Sequence, residues 1–508
     1  MTTFLIGLSI LVVFGYFYGL FVEKHIVKPD DRVAPCYLKS DGVDFVPMKT
    51  WRNSMLNLIS IAGTGPIVGP ILGILFGPIT FILIPLGCVF AGAVHDYMSG
   101  TISMRNNGAQ MPNLVRKFTN GIIHNIYIIF TALLLFLVAA VFTYMPGDLF
   151  AGQVLGIDTS PTSGNQHILW IIYGVILAYY LLATVMPVHK LIGKFYPILG
   201  FILLSSGVAL TIMLGVGFVG GNFVLDNVNA YNWRGVHPAG LPLIPIFFLT
   251  VACGILSGFH ATQNTMVARS VPSEKKARTT FYTMMIAEGF LAMVWAAAAM
   301  AVMNAGLVPA GTGAIAIIGI VSNTLLGPFG VIVILCAVLL AITSGDTCLR
   351  ALRLIIAERI KSSQSSLVNR FKISIPIFIV TGGLIVWAQI NPGGFDILWR
   401  YFAWSNQSIG IFALAIATIY LIARGQVKGS IVTLVPGVFY TFITMSYILS
   451  SPVGFRLPFN VAHILACVLC VLYAWYIFYK GNKLRKNGFS YEDTPVFEIP
   501  KGAGTVGK

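Results

Sequence analysis

The chain has 508 residues, 57% of them hydrophobic and only 10% charged, with a formal net charge of +15; a soluble domain carries about 25% charged residues. A mean hydropathy of +0.85 and apolar runs too long for core helices exclude a soluble enzyme, and the lack of ten-residue alternation excludes an outer-membrane barrel. What remains is an all-α polytopic membrane protein whose basic excess reports topology and not a nucleic-acid partner.

Thirteen charge-poor apolar runs read as spans, over 4–21, 54–78, 80–99, 123–145, 168–187, 195–219, 241–266, 281–304, 327–349, 373–390, 402–422, 430–449 and 460–479. The first has no basic residue ahead of it and no small-residue cleavage site behind it, so a retained helix is expected. The second contains ISIAGTGPIVGP (59–70), where glycines and prolines crowd a helix that should run on; a break at Gly63, Thr64 and Gly65 is expected. The third ends in GAVHDYMSG. Adjacent helical positions point about 100° apart, so His95 and Asp96 are expected to meet different partners, in a proton relay or an interfacial cap.

The span 241–266 carries GILSGFHATQNT (254–265), a second place where Gly254 and Gly258 stand among polar residues. His260 and Gln263, one turn apart, would share a face toward a cavity, unless the histidine is a satisfied packing residue. Glu288, in the next span, has little polar company and reads as structural or as a pair for a basic group. The Gly- and Pro-punctuated stretch 306–326 reads as an external loop or short surface helix, because counting it as a crossing would turn every later basic loop outward. AITSGDTCLR follows, where Thr343, Ser344 and Thr347 surround Asp346 with hard oxygens suited to a small cation, or the carboxylate takes a proton; an ion pair with Arg350 one turn on is the alternative. In RYFAWSNQSIG, Asn406 and Gln407 read as cavity-lining or as interhelical hydrogen-bonding amides, and Trp399, Tyr401 and Trp404 as an interfacial belt. Seven scattered cysteines give no disulfide framework, and Cys467 with Cys470 lacks a nearby acid to complete a metal site.

All lysines and arginines except Arg234, Arg400 and Arg456 fall in alternate loops or the tail, which places the N-terminus outside and the C-terminus in the cytoplasm. The two breaks then head two five-helix units of opposite direction, the pattern of a LeuT-like 5+5 inverted repeat with broken first and sixth helices. The expected organisation is an accessory helix and cytoplasmic loop (1–53), a first repeat (54–219), a second repeat (241–422), two further helices (430–479) and a cytoplasmic tail (480–508). Unwound turns expose N–H and C=O dipoles that bind a carboxylate and a cation without a fixed charge. The expected substrate set is Gly63, Thr64, Gly65, Gly258, His260, Gln263, Asn406 and Gln407. The expected coupling set is His95, Asp96, Thr343, Ser344, Asp346 and Thr347, for H+ or Na+, with no other cofactor. A secondary transporter for a small carboxylate is the leading reading. An intramembrane aspartyl protease pairing Asp96 with Asp346 and a channel or sensor are the alternatives.

At SIAGTGPIVGP (60–70), FAGAVHDYM (90–98), SGFHATQ (257–263), TSGDT (343–347) and WRYFAWSNQ (399–407) the sequence resembles the carbon starvation protein A (CstA) family of bacterial membrane transporters. The resemblance implies an inner-membrane location, an inverted-repeat fold and proton-coupled uptake of peptides or pyruvate in the response to carbon starvation. The chain departs from the family pattern after SGFHATQ, with Asn264, Thr265 and Met266 where a Ser-Pro continuation is expected, and it lacks the additional C-terminal helices of longer members.

Overall fold

The computed structural model describes residues 1–494 except 43, 160–162, 186–188, 363, 365 and 392, and the described residues are helical or irregular, with no strand among them. Helices satisfy every backbone group within one segment, which is what lipid demands of a spanning element. Eleven helices are long and apolar enough to cross a membrane, or twelve when a bent pair counts as one. They are Thr2–Val27, Thr80–Arg105, Gly121–Val154, Gln166–Thr184, Tyr196–Val219, Glu274–Asn304, Ala314–Arg359, Leu367–Ile390, Gly394–Ala423, Ile431–Ser450 and Phe459–Lys486, with Thr50–Ala62 and Gly65–Phe76 as the pair bent by 50°.

The seventh expected span, 241–266, does not form a long helix. It divides into Leu243–Phe247, Phe248–Thr250, Ala252–Ile255 and Gly258–Val267, because Cys253 (ψ 128°) and Gly254 (φ +100°) leave the helical region and Leu256 and Ser257 are extended. The stretch read as a loop or short helix contains Ala314–Leu326. Gly327 turns the chain at φ +53°, and a Cβ at Gly330 would come within 2.5 Å of the Ser322 carbonyl oxygen, so this helix folds back on the one that follows it.

Two sets of contacts mark the two ends of the bundle. At one end the N-terminal ammonium donates to the Leu225 carbonyl (2.8 Å) and Asn304 donates to that of Val224 (3.1 Å). At the other, Arg105 and Arg424 reach the Val27 carbonyl (2.9 and 2.8 Å), and Arg32, Glu274 and Glu492 gather around Arg105. Glu274–Asn304 and Gly394–Ala423 form the middle of the bundle, whereas Thr2–Val27 and Phe459–Lys486 turn apolar side chains such as Phe17 and Val471 outward.

Candidate functional site

The first break is a single turn. Gly63 adopts φ +48° with ψ −141°, a backbone that only glycine holds without strain, and Thr64 follows at φ −102°. Pro66 opens the next half-helix at a position where its missing N–H costs no bond. The Thr64 hydroxyl is fully buried with no hydrogen-bond partner among the described residues. A Cβ at Gly63 would lie 3.0 Å from the Phe142 ring and 3.3 Å from Ser344 Oγ, so the Gly330–Arg359 helix presents Ser344 to the break.

The two breaks touch. A Cβ at Gly65 would lie 2.2 Å from Cys253 Cβ, and one at Gly69 would lie 2.9 Å from the Thr250 carbonyl oxygen. Only glycine permits that approach of one unwound turn to the other.

Beside this contact lies a chain of four buried ionisable side chains from three elements. Asp96 Oδ1 is 2.8 Å from His95 Nδ1, and its Oδ2 is 3.1 Å from His260 Nδ1; His260 Nε2 faces Glu288 Oε2 at 3.4 Å. His95 is 1% exposed and the other three 0%. His260 also lies against the Ile61 carbonyl at the end of the first half-helix, and Glu288 against the Gly254 N–H of the second break. The order Glu288, His260, Asp96, His95 thus ties both breaks to the helices Thr80–Arg105 and Glu274–Asn304. With Nδ1 engaged by Asp96, the nitrogen of His260 left to exchange a proton is Nε2, opposite Glu288.

This geometry corrects one expectation. His95 and Asp96 are bonded to each other rather than kept apart by the helical 100° step, the short reach between neighbouring side chains being enough to close a 2.8 Å contact. Glu288, read as structural or as a partner for a basic group, pairs with His260; the only sequence signal for it was a carboxylate inside an apolar span.

Several expected site residues are engaged by the protein itself. Asn406 Oδ1 accepts the Phe259 N–H (2.8 Å) and the Ser257 hydroxyl (3.1 Å), which caps the Gly258–Val267 helix. Gln407 donates to the Phe248 carbonyl just ahead of the second break. At Gly258 a Cβ would meet the Asn406 carbonyl oxygen at 2.3 Å, so its role there is close packing. Gln263 donates to the Thr262 hydroxyl at 3.3 Å. Thr343 and Thr347 spend their hydroxyls on carbonyls one turn back in their own helix, leaving Ser344 as the buried hydroxyl turned to the break. Asp346 lies 3.4 Å from Arg350, which also donates to the Ala183 carbonyl (2.7 Å). With Asp96 held by two histidines and Asp346 by Arg350, the paired-aspartate geometry of a protease is not formed.

The fold and the sequence both have known counterparts. A crystal structure of the manganese transporter of Eremococcus coleocola superposes with a TM-score of 0.57 at 12% identity, covering 86% of this chain and 95% of that one. MhsT in complex with L-phenylalanine gives 0.56 at 14% identity over 84% and 99%. These identities speak to the fold alone, a LeuT-like one. An uncharacterized membrane protein of Haemophilus influenzae is 35% identical over 58% of this chain and 89% of its own length. The peptide transporter CstA of Campylobacter jejuni is 26% identical over 85% of this chain and 77% of its own, and the pyruvate/proton symporter BtsT of Escherichia coli is 26% identical over 60% and 50%. The family described as Carbon starvation protein CstA matches residues 1–160, 162–324 and 310–447, so the chain belongs to that family.

Proposed function

We propose that this chain is a secondary active transporter, not an enzyme, that imports a small carboxylate-bearing nutrient such as pyruvate, an amino acid or a short peptide across a bacterial inner membrane, driven by protons. The observation that carries the reading is the Glu288–His260–Asp96–His95 chain set against two touching helix breaks. Two carboxylates and two imidazoles in one buried cluster are neutral with both imidazoles protonated and carry a net negative charge with one proton fewer. Burial makes that difference large enough to be linked to conformation. If the helices form two inverted five-helix units, Thr80–Arg105 and Glu274–Asn304 occupy equivalent places in them, and His260 lies between the two equivalent carboxylates. Movement of the Gly258–Val267 half-helix against its neighbours would then shift the imidazole from one carboxylate toward the other as the site changes sides.

The substrate carboxylate is assigned to the freed N–H groups that follow Gly63 and Gly254, together with the Thr64 hydroxyl. The names of the relatives support this substrate class, and the basic end of the bundle is assigned to the cytoplasm with the N-terminus outside. The test is uptake of labelled pyruvate and of labelled dipeptides into proteoliposomes with either a pH or a sodium gradient imposed, with a pH dye inside. The expected result is accumulation with the pH gradient and acidification of the lumen, read by the dye, as substrate enters. A second reading, sodium coupling, rests on the free Ser344 hydroxyl facing Gly63 beside Thr343, Asp346 and Thr347. Accumulation driven only by the sodium gradient would replace the proton reading with that one.

A further inference from the structure

Past the helix Phe459–Lys486 the chain turns back under the basic end of the bundle. Phe489 packs on Phe118 (5.8 Å between centroids) and Tyr491 on Tyr420 (6.0 Å). Glu492 lies 2.9 Å from Arg32 and 3.4 Å from Arg105 and is hydrogen-bonded to the Tyr420 hydroxyl. Asp493 pairs with Lys117 at 2.7 Å. The N–H groups of Asp493 and Thr494 both donate to the Arg105 carbonyl (3.0 Å each), and the Thr494 hydroxyl donates to that of Met104 (2.8 Å). Those two carbonyls end a helix and have no partner within it, so the tail completes the terminus of Thr80–Arg105. Arg105 and Glu274 beneath are buried.

These contacts bridge the end of Thr80–Arg105 and the end of Gly394–Ala423 directly, and reach Glu274 at the start of Glu274–Asn304 only through Arg32 and Arg105, parts of the chain that alternating access would separate. A tie across moving units must either let go or stop them. The bonds suit release, because only six residues form them and they are mostly polar, with the Asp493 side chain 47% exposed at the rim.

We propose that residues 489–494 are a strap that docks in cis on a cationic slot formed by Arg32, Arg105, Lys117 and Arg424, keeps the basic end of the bundle shut, and detaches when the site opens to that side. The proposal assumes alternating access and is independent of which substrate or coupling ion is used. It predicts that weakening the strap raises access to residues beneath it. Ser103, whose hydroxyl donates to the Ala109 carbonyl at 2.8 Å at the inner end of Thr80–Arg105, is a suitable reporter.

The experiment places Ser103→Cys in a Cys467→Ser background and measures its reaction with a membrane-impermeant maleimide in vesicles of both orientations. Glu492→Gln and Asp493→Lys are each expected to speed labelling by about tenfold, the shift that losing one partly buried charged contact gives a two-state gate. The increase should appear only in vesicles that expose the basic end. Lys117→Asp combined with Asp493→Lys, which exchanges the charges of the pair, should return labelling to the slow parental rate and shows that the single variant was folded. Equal labelling rates in all four proteins, or fast labelling that the charge exchange leaves fast, would overturn the strap as a gate.

Discussion

At position 260 one imidazole meets a carboxylate at each ring nitrogen, 3.1 Å to Asp96 and 3.4 Å to Glu288. If the proposed proton coupling holds, a change at Glu288 alters it without removing any group assigned to the substrate. Glu288→Gln is therefore expected to bring gradient-driven accumulation down to a ratio of about one, while substrate exchange at equal pH stays within about twofold of wild type. Loss of both activities together would make Glu288 a structural residue. A second charge prediction concerns Glu492, which lies outside the spans. Burial raises its carboxyl, but the Tyr420 hydroxyl and the Arg105 and Arg32 guanidinium groups outweigh burial and hold it below the ordinary value. A depressed carboxyl stabilises the fold fully above its ordinary value and loses that contribution as pH falls through the depressed one. Glu492→Gln should thus lower stability at pH 7 by about 1–2 kcal/mol, and the gap between the melting curves of variant and wild type should close below about pH 4. A gap that widens in acid would contradict the assigned sign. Asp30, on the same slot, is held at about 2: burial raises it, and the bonded Arg32 guanidinium lowers it further.

Among the elements, the broken helices were the most legible. GTGP at 63–66 announces its own interruption, since glycines one and three residues ahead of a proline remove both the helical preference and a donor, and the structure bends there by 50°. The second break was legible from Gly254, which takes φ +100°; that the unwound turn runs on through Leu256 and Ser257 was not, because those residues have no turn signature of their own. Asn406 and Gln407 were recognisable as amides with work to do inside a membrane; that one caps a half-helix from 147 residues away depends on packing that no local pattern records. The contact of the breaks gives an exacting test. Gly65→Ala would drive a Cβ into Cys253, whose Cβ and Sγ would lie 2.2 and 2.3 Å away, whereas the next atom is at 3.7 Å. The single variant is expected to lose uptake and thermal stability, and Cys253→Gly in the same chain should recover most of both. Failure of the second change to recover anything would mean that the two turns do not pack as described.

For the whole molecule, the alternation of basic and non-basic connections was readable because it depends only on helix number and charge, and the contacts at each end of the bundle follow it. The buried charge clusters were not readable: Arg105 to Glu274 and Arg105 to Glu492 join residues 169 and 387 positions apart. Electrostatics at this scale also limits the cargo. The buried arginines of the described residues, Arg32, Arg105 and Arg353, are bound to Glu274, Glu492 or Gln364 and lie away from the breaks. A half-helix end offers about half an elementary charge, enough for one carboxylate and too little for two. Pyruvate, amino acids or short peptides should compete well in uptake assays and succinate or malate poorly; strongest competition by the dicarboxylates would require a basic group at the breaks. The strap has one more consequence, for the order in which the protein is made. Arg32 and Arg105 leave the ribosome early, and the carboxylate of Glu492 that completes their cluster follows only after Phe459–Lys486 and every spanning helix before it have been synthesised. If the strap closes the basic end as proposed, a nascent chain can insert its bundle before that entrance can be sealed, and the barrier to leakage is completed only when residues 489–494 have emerged from the ribosome.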